Sequence, residues 1–383
     1  MAAPAASNER PKAEILHQMA SKPASAESQI ASMTRPSQAG QGPILIVPYM
    51  WIGDFVRCHT VVKLLKARFP GRPVDVLSTS LCAPLADYMP ELRQAIVVDL
   101  PRKRLSLSEH QTLAARLKRE RYGTALIMPR TWKAALAPFL AGIPERVGWV
   151  GEWRFGLINE LRFGERKRPR MVDQCAALAL PAHEPQPENW PLPELRVPPA
   201  EVAGWRERLR LPDGGRPVVA FAPGAVGPSK RWPGASYGQL ARALIDQGND
   251  VWVLGSPAEA PLVRIIQQGA PAARDLTGTD LRNAILALAA ADVAISNDSG
   301  LLHVAAAIGT PTIGIFGPTS PWPWAPLNPI AAAVQQTLET LPCQPCHKPT
   351  CYMRHHRCMR DISVERLLEV TQRAMTEAAP KPL

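Results

Sequence analysis

Short apolar runs alternate with amphipathic stretches along most of this 383-residue chain. The first run is PILIVPYM at 43–50, and in the following segment, CHTVVKLLKARFP, the apolar residues have helical spacing. Further apolar runs lie at 74–80, 95–100 and 125–129. Buried parallel strands are continuous runs rich in Val and Ile, and helices connect them. The alternation therefore predicts a parallel, doubly wound α/β sheet in the first half of the chain.

The same alternation restarts after a Pro-rich segment at roughly 183–199. Four further strands are predicted, at 218–224, 251–256, 292–300 and 311–318. We therefore expect two Rossmann-like doubly wound domains, at 43–195 and 196–360, with a cleft between them. A disordered tail rich in Ala, Ser and Pro is expected at 1–42, and an amphipathic C-terminal helix within 361–383.

Ligands of open α/β sheets bind beyond the carboxyl ends of the strands, so the turns after the predicted strands form the candidate site. Gly53 and Asp54 follow the first strand. A carboxylate at this place, beside a glycine that allows close backbone approach, is well placed to act as a general base. Alternatively, Asp54 caps the helix that follows.

The segment PGAVGPSKRWP at 223–233 has the composition of a phosphate-binding turn. Its glycines leave backbone N–H groups able to face phosphates, and Lys230 supplies a positive charge for a pyrophosphate. The spacing is not that of a P-loop, so a plain strand-to-helix turn with a surface lysine is the alternative.

A second anion site is predicted in SNDSGLLHVAAA at 296–307. Asp298, Ser299 and Gly300 end a strand and begin a helix there, and the positive end of a helix attracts anions. His303 lies one turn further along, on the Ala-rich side. It is either a buried core histidine or a catalytic group.

The distribution of charge along the chain indicates an anionic partner. The formal net charge is +11, and residues 100–170 contain 16 Lys and Arg against 6 Asp and Glu. Such a stretch indicates nucleic acid, an acidic membrane surface or a phosphorylated lipid as partner, unless it is only a solvated basic face. No apolar run reaches the roughly 18–20 residues that span a bilayer, and no secretory signal is recognised. We therefore expect a cytoplasmic protein.

Four of the seven cysteines lie close together near the C-terminus, at Cys343, Cys346, Cys351 and Cys358. Thiolates are preferred ligands of zinc, so a structural zinc site is one hypothesis. The spacing matches no common zinc finger closely, and unliganded thiols are the alternative. A cytoplasmic setting argues against disulfides. The other cysteines have apolar neighbours and are predicted to be reduced core residues: Cys58, Cys82 and Cys175.

Four segments, in this order, resemble the lipopolysaccharide heptosyltransferases of the ADP-heptose glycosyltransferase family, and most closely their heptosyltransferase II branch. They are WIGDFVR (51–57), RVGWVGEWRFGLIN (146–159), PGAVGPSKRWP (223–233) and NDSGLLHVAAA (297–307). The resemblance covers roughly 44–375. It implies the GT-B architecture, in which two Rossmann-like domains face each other, the first binding the acceptor and the second the nucleotide-sugar.

The resemblance implies an inverting transfer and a role for several residues. Asp54 falls on the family's acid–base residue, which takes the proton of the acceptor hydroxyl, with Gly53 and Arg57 on the acceptor side. Glu259 is expected to hold the ribose hydroxyls, and the backbone of Thr279 to meet the adenine. The implied donor-side set is Gly224, Lys230, Glu259, Thr279, Asp298, Ser299, Gly300 and His303.

The implied donor is ADP-L-glycero-β-D-manno-heptose and the implied acceptor is heptosyl-Kdo₂-lipid A, with no cofactor required for catalysis. The basic stretch at 100–170 would meet the lipid phosphates and the anionic inner leaflet, which implies peripheral association with the inner membrane of a Gram-negative bacterium. The alternative within the family is another acceptor position, of type I or III.

Two function classes outside the family are disfavoured by the motifs. A zinc-containing nucleic-acid-binding protein would use the basic stretch and the cysteines, but no nucleic-acid module signature is present, and no nucleic acid is expected as partner. A nicotinamide oxidoreductase would share the fold, but neither glycine turn reads GxGxxG with a downstream acid.

Overall fold

The computed structural model describes residues 41–101, 105–182, 184, 186–187, 189–211, 215–328, 331–335 and 341–377. Residues 1–40 of the predicted tail and the basic run at 102–104 lie outside this part of the chain. No helix in the described ranges is long and apolar enough to cross a bilayer.

The first half of the chain forms a six-stranded sheet in which all neighbouring strands are parallel, in the order β3-β2-β1-β4-β5-β6. The strands are β1 Ile44–Val47, β2 Val74–Ser78, β3 Gln94–Val97, β4 Thr124–Ile127, β5 Glu145–Trp149 and β6 Glu160–Arg162. The helices are α1 Ile52–Arg68, α2 Ala83–Ala86, α3 Leu107–Glu120, α4 Trp132–Leu140 and α5 Met171–Ala176. The central strands β1 and β4 are buried throughout, as expected when helices cover both faces.

The second half forms another parallel six-stranded sheet, in the order β12-β11-β10-β7-β8-β9. Its strands are β7 Val218–Ala222, β8 Asp250–Val253, β9 Arg274–Asp275, β10 Val293–Asn297, β11 Thr312–Phe316 and β12 Ala331–Gln335. Its helices are α6 Pro199–Arg208, α7 Gly234–Asp246, α8 Ala260–Gly269, α9 Leu281–Ala290, α10 Gly300–Ile308, α11 Pro321–Trp324, α12 Arg357–Arg360 and α13 Val364–Glu377. The predicted α/β class with two doubly wound sheets is confirmed.

Helix α1 begins earlier than the apolar spacing predicts. The periodic pattern starts at Cys58, whereas the helix begins at Ile52, directly after its N-cap residue Trp51. Asp54 therefore lies in the first turn of the helix and neither precedes it nor caps it, which corrects both sequence interpretations of its local structure. Its negative charge is favourable in this place because the N-terminal end of a helix carries a partial positive charge.

Buried contacts join the two halves. One hydrophobic cluster contains Val56 and Leu64 from α1 together with Val304 and Ala305 from α10. The sequence left open which sheet the C-terminal helix covers. Helix α13 belongs to the second half, because Leu367 is buried in the cluster that β7, β10 and β11 share with α7.

Candidate active site

A cleft of about 400 Å³ lies between the carboxyl ends of the two sheets. This volume is within the range of small-molecule sites. All the residues that the sequence proposed for catalysis, donor and acceptor line it: Gly53, Asp54, Arg57, Gly224, Lys230, Glu259, Thr279, Asp298, Ser299, Gly300 and His303. The four cysteines near the C-terminus do not line it; they surround a separate small cavity.

The N-terminal ends of α1 and α10 meet at the cleft, and two glycines allow this close approach. A Cβ atom on Gly53 would lie 2.7 Å from Cδ2 of His303. A Cβ atom on Gly300 would lie 2.6 Å from Cβ of Ile52. Both distances are shorter than carbon atoms tolerate, so glycine is required on each side. Two helix N-termini therefore contribute partial positive charge to one place, which favours an anionic ligand.

Asp54 is the carboxylate that the first half contributes to the cleft. Nη1 of Arg57 donates a hydrogen bond to its Oδ1 at 3.0 Å, one helical turn away. Burial raises the pKa of Asp54 above its ordinary value of 3.8, while the charges of Arg57 and Lys230 oppose the rise. A carboxyl group with a raised pKa is a stronger base, which suits proton abstraction near neutral pH.

Lys230 and Asp298 form an ion pair in the second half of the cleft, with 2.6 Å between Nζ and Oδ2. The same Oδ2 accepts a hydrogen bond from the hydroxyl of Thr319 at 2.8 Å. Asp298 is therefore held from two sides and fixes the lysine ammonium beside the N-terminus of α10. This places a side-chain cation and helix N–H groups together, as anion binding requires.

Asn297 holds the donor-side turns together, and sequence reasoning did not single it out although its motif was recognised. It is fully buried, and its Oδ1 accepts hydrogen bonds from the backbone N–H of Trp232 and the hydroxyl of Tyr237, both at 3.2 Å. Its Nδ2 donates to the carbonyl of Pro223 at 2.6 Å. The end of β10 is thereby tied to both ends of the segment that carries Lys230.

Glu259 and Gly224 lie against each other at the other end of the cleft. A Cβ atom on Gly224 would lie 2.9 Å from Cγ of Glu259. Oε2 of Glu259 accepts hydrogen bonds from the backbone N–H of Ser256 at 2.8 Å and from its hydroxyl at 2.5 Å. The first of these bonds belongs to a capping box, in which the Ser256 side chain also accepts the backbone N–H of Glu259, and together these bonds fix the direction of the carboxylate. Thr279 lines the same end.

His303 is buried and also lines the cleft, so its position is compatible with both roles that the sequence left open. Only 4% of its surface is exposed, yet it borders the cleft. Burial, followed by the charges of Arg57 and Lys230, holds the pKa of His303 well below its ordinary value of 6.5. It is therefore a neutral imidazole at physiological pH and adds no positive charge to the site.

Trp324 also borders the cleft, and nothing in the sequence patterns pointed to it. It lies in the short helix α11, after β11, and the guanidinium of Arg57 stands 5.7 Å from its ring centre. Within the described part of the chain, Nε of Arg57 and Nε1 of Trp324 are buried donors with no acceptor. Trp324 packs against Arg57, the residue whose guanidinium holds Asp54 by a hydrogen bond.

Two parallel sheets with a cleft between their carboxyl ends form the GT-B architecture, and the comparisons with known proteins show that the chain is a glycosyltransferase. The solved structure of the Escherichia coli ADP-heptose lps heptosyltransferase II matches with a TM-score of 0.76 and 32% identity, covering 88% of this chain and 99% of that one. The family model described as glycosyltransferase family 9 (heptosyltransferase) matches residues 111–356, and the chain belongs to this family.

Relatives at the sequence level agree with this assignment. Lipopolysaccharide heptosyltransferase 2 of Escherichia coli K12 is 35% identical over 341 residues, which are 85% of this chain and 96% of that protein. Lipooligosaccharide heptosyltransferase 2 of Haemophilus influenzae is 37% identical over 305 residues, which are 76% of this chain and 88% of that protein. The predicted family, the GT-B fold class and the glycosyltransferase class are therefore confirmed.

The close approach at Gly53 gives a first prediction. Gly53→Ala would force a methyl group against His303 and should lower the free energy of unfolding by about 1–3 kcal/mol, as overpacking does, and reduce activity. The matched control is Gly204→Ala, in α6, where a Cβ meets only Nη1 of Arg208 at 3.6 Å. That change should be neutral or stabilise by up to about 1 kcal/mol. Urea denaturation measures both, and equal effects would contradict the steric argument.

Proposed function

We propose that this chain transfers L-glycero-D-manno-heptose from ADP-heptose to heptosyl-Kdo₂-lipid A with inversion of the anomeric centre. One observation carries the proposal: a partly buried carboxylate, Asp54, and a fixed cation, Lys230, border the same cleft from opposite halves of the chain. An inverting transfer needs both, because a base activates the acceptor while a cation stabilises the leaving diphosphate. The names of the relatives, including the ADP-heptose enzyme of Escherichia coli, support this choice of substrates.

The donor is assigned to the second half of the chain, 196–360. The diphosphate would lie at Lys230 and at the backbone N–H groups of Ser299 and Gly300, which begin α10. Glu259, which the capping box holds in one direction, would accept hydrogen bonds from the ribose hydroxyls, and the backbone of Thr279 would meet the adenine. As the bond to the anomeric carbon breaks, negative charge grows on the diphosphate, and the helix end and Lys230 stabilise it.

The acceptor is assigned to the first half, 43–195. The acceptor hydroxyl oxygen would attack the anomeric carbon, its proton would pass to Asp54, and the bonding electrons would leave with ADP. Arg57 holds the carboxylate of Asp54 in place, and Arg57 and Trp324 both line the cleft in which the acceptor would lie.

Exposed groups in the first half support peripheral association with the anionic inner leaflet. Trp153, Phe155 and Phe163 have 91%, 59% and 68% of their surface exposed. Arg166 and Lys167 follow Phe163 closely and are exposed as well. Aromatic side chains and cations together are typical of surfaces that lie at a membrane interface. The chain would thus work on the cytoplasmic face of the inner membrane of a Gram-negative bacterium.

The direct test of the proposed function compares two acceptors. Purified protein with ADP-heptose should transfer heptose to heptosyl-Kdo₂-lipid A, and mass spectrometry of the product should show one added heptose. Kdo₂-lipid A without heptose serves as the parallel acceptor and should react much more slowly. Preference for this second acceptor would overturn the assigned acceptor, and no transfer to either would overturn the proposed function.

The base is tested by Asp54→Asn, which keeps the shape and removes the proton acceptor. A general base contributes about 10²–10⁴-fold, so kcat should fall by that factor. ADP binding, measured by calorimetry, should remain close to wild type because Asp54 lies on the acceptor side. Wild-type turnover in this variant would contradict the assignment, and loss of ADP binding would indicate a structural role instead.

The pH dependence tests the environment of Asp54. Because burial raises its pKa above 3.8, and because only the ionised form accepts a proton, kcat/KM should fall on the acidic side at a pH above that value. Arg57 opposes the rise, so Arg57→Ala should move this acidic limb to higher pH. A limb that stays in place, or moves to lower pH, would contradict the coupling between the two residues.

Lys230→Met should weaken donor binding. Hydrogen bonds to charged groups contribute about 1.5–3 kcal/mol, so KM for ADP-heptose should rise by about 10–100-fold. The variant also leaves the charge of Asp298 uncompensated beside the diphosphate. The matched control is Lys63→Met, which breaks a partly buried ion pair with Glu194 away from the cleft. Equal donor affinity in the two variants would contradict the phosphate-binding role of Lys230.

A further inference from the structure

The four C-terminal cysteines converge on one place in the fold. Cys343, Cys346, Cys351 and Cys358 all line a cavity of about 10 Å³, which is room for a single small atom. All four are free thiols, and Cys358 is buried. The sixteen residues from Cys343 to Cys358, which are irregular except for the start of α12, thus bring four cysteines to the wall of one small cavity.

Hydrogen-bond donors point at two of these sulfur atoms. The backbone N–H of His356 donates to Sγ of Cys351 at 3.3 Å. Nε2 of His355 lies 3.8 Å from Sγ of Cys343. Nδ1 of His355 accepts the backbone N–H of Arg357 at 3.0 Å, so in the neutral ring the proton is on Nε2 and faces the sulfur. N–H groups directed at sulfur stabilise the thiolate and are typical of the surroundings of metal-bound cysteines.

The backbone of this segment is held in a costly conformation. His347, Arg354 and His356 have φ of 52°, 58° and 52°, the left-handed region. The left-handed region is unfavourable for any residue other than glycine, and a residue stays in it only where the surroundings enforce it. His356 is one of these left-handed residues and is also the residue whose backbone N–H donates to Sγ of Cys351. The unfavourable backbone conformation and the contact with the sulfur atom therefore occur at the same residue.

We propose that Cys343, Cys346, Cys351 and Cys358 bind one thiophilic divalent ion, zinc or ferrous iron, as a structural tetrathiolate site. Both ions accept tetrahedral sulfur coordination. Four thiol protons leave to solvent on binding, the divalent ion neutralises two of the four negative charges, and the N–H groups directed at Cys351 and Cys343 stabilise the net charge of −2 that remains. In the described residues no three such side chains are already placed as a metal centre, so the thiols must turn inward on binding.

The segment is attached to the turn that carries Lys230. The hydroxyl of Ser229 donates to the carbonyl of Lys348 at 2.5 Å, and its backbone N–H donates to the carbonyl of Pro349 at 3.1 Å. The carbonyl of Ser229 lies 2.7 Å from Nε2 of His356, the residue whose N–H meets Cys351. The ion would therefore fix a segment that holds the residue next to Lys230. This link between the ion and Lys230 rests on the proposed function.

Metal content tests the site itself. The full-length protein, purified under reducing conditions without chelator, should contain about one equivalent of metal by plasma mass spectrometry, and the element distinguishes zinc from iron. Cys351→Ser and Cys346→Ser should lose most of it. The control Cys82→Ala, a buried cysteine of the first half, should retain it. Metal well below one equivalent in the wild type, or full retention in both serine variants, would overturn the proposal.

A second measurement uses the wild-type protein and therefore does not depend on whether the serine variants fold. Wild-type protein titrated with an organomercurial should release its metal, followed by a chromophoric chelator, in step with modification of four thiols. Mass mapping should place these at the four positions. Disulfides among the four cysteines of the freshly purified protein would also overturn the site.

The link to Lys230 is tested separately. Folded protein from which the metal has been removed should bind ADP several-fold more weakly, and KM for ADP-heptose should rise while kcat changes little. Unchanged ADP affinity in metal-free folded protein would overturn the link. Because metal content is measured without any substrate, failure of the proposed function and failure of the metal site give different results.

Discussion

The close contact between the N-terminal ends of α1 and α10 is the constraint on which the cleft depends. Gly53 touches the ring of His303, and Gly300 touches Ile52, so each half supplies the glycine that lets the other approach. Because these two helices follow the first strand of one sheet and a central strand of the other, their contact brings the carboxyl ends of both sheets together. Any side chain at either glycine would hold the halves apart and separate Asp54 from Lys230.

That contact also sets the electrostatics of the site. Burial acts in opposite directions on the two titratable groups nearest to it, raising the pKa of Asp54 and lowering that of His303. The charges of Arg57 and Lys230 lower the pKa of both groups, because a positive charge favours the ionised carboxylate and disfavours the imidazolium. The result is one available base beside a neutral ring, with the positive charge concentrated on the arginine, the lysine and the helix ends.

Apolar periodicity was sufficient for the fold class, because buried parallel strands are the most distinctive runs in the chain. It failed at the start of α1, where WIGDFV mixes a glycine and an acid with apolar residues and shows no helical spacing. Most of the proposed site residues were found because they belong to short motifs at the ends of predicted strands, whereas Glu259 and Thr279 were assigned only through the resemblance to the family. Trp324 and Asn297 were not found in this way, because their roles depend on contacts between residues far apart in sequence. The ring of Trp324 contacts Arg57. Asn297 forms hydrogen bonds with Pro223 and Trp232.

The two sides of the cleft are supported by different means. On the acceptor side, Asp54 and Arg57 lie on one long helix, whose own hydrogen bonds fix their relative positions. On the donor side, Lys230 lies in a single short turn between irregular segments, where helix geometry fixes nothing. Its position depends on Asp298, on Asn297 and on the Cys-rich segment through Ser229. A structural ion in that segment would give the turn that carries Lys230 a rigidity that the hydrogen bonds of α1 already give Asp54 and Arg57.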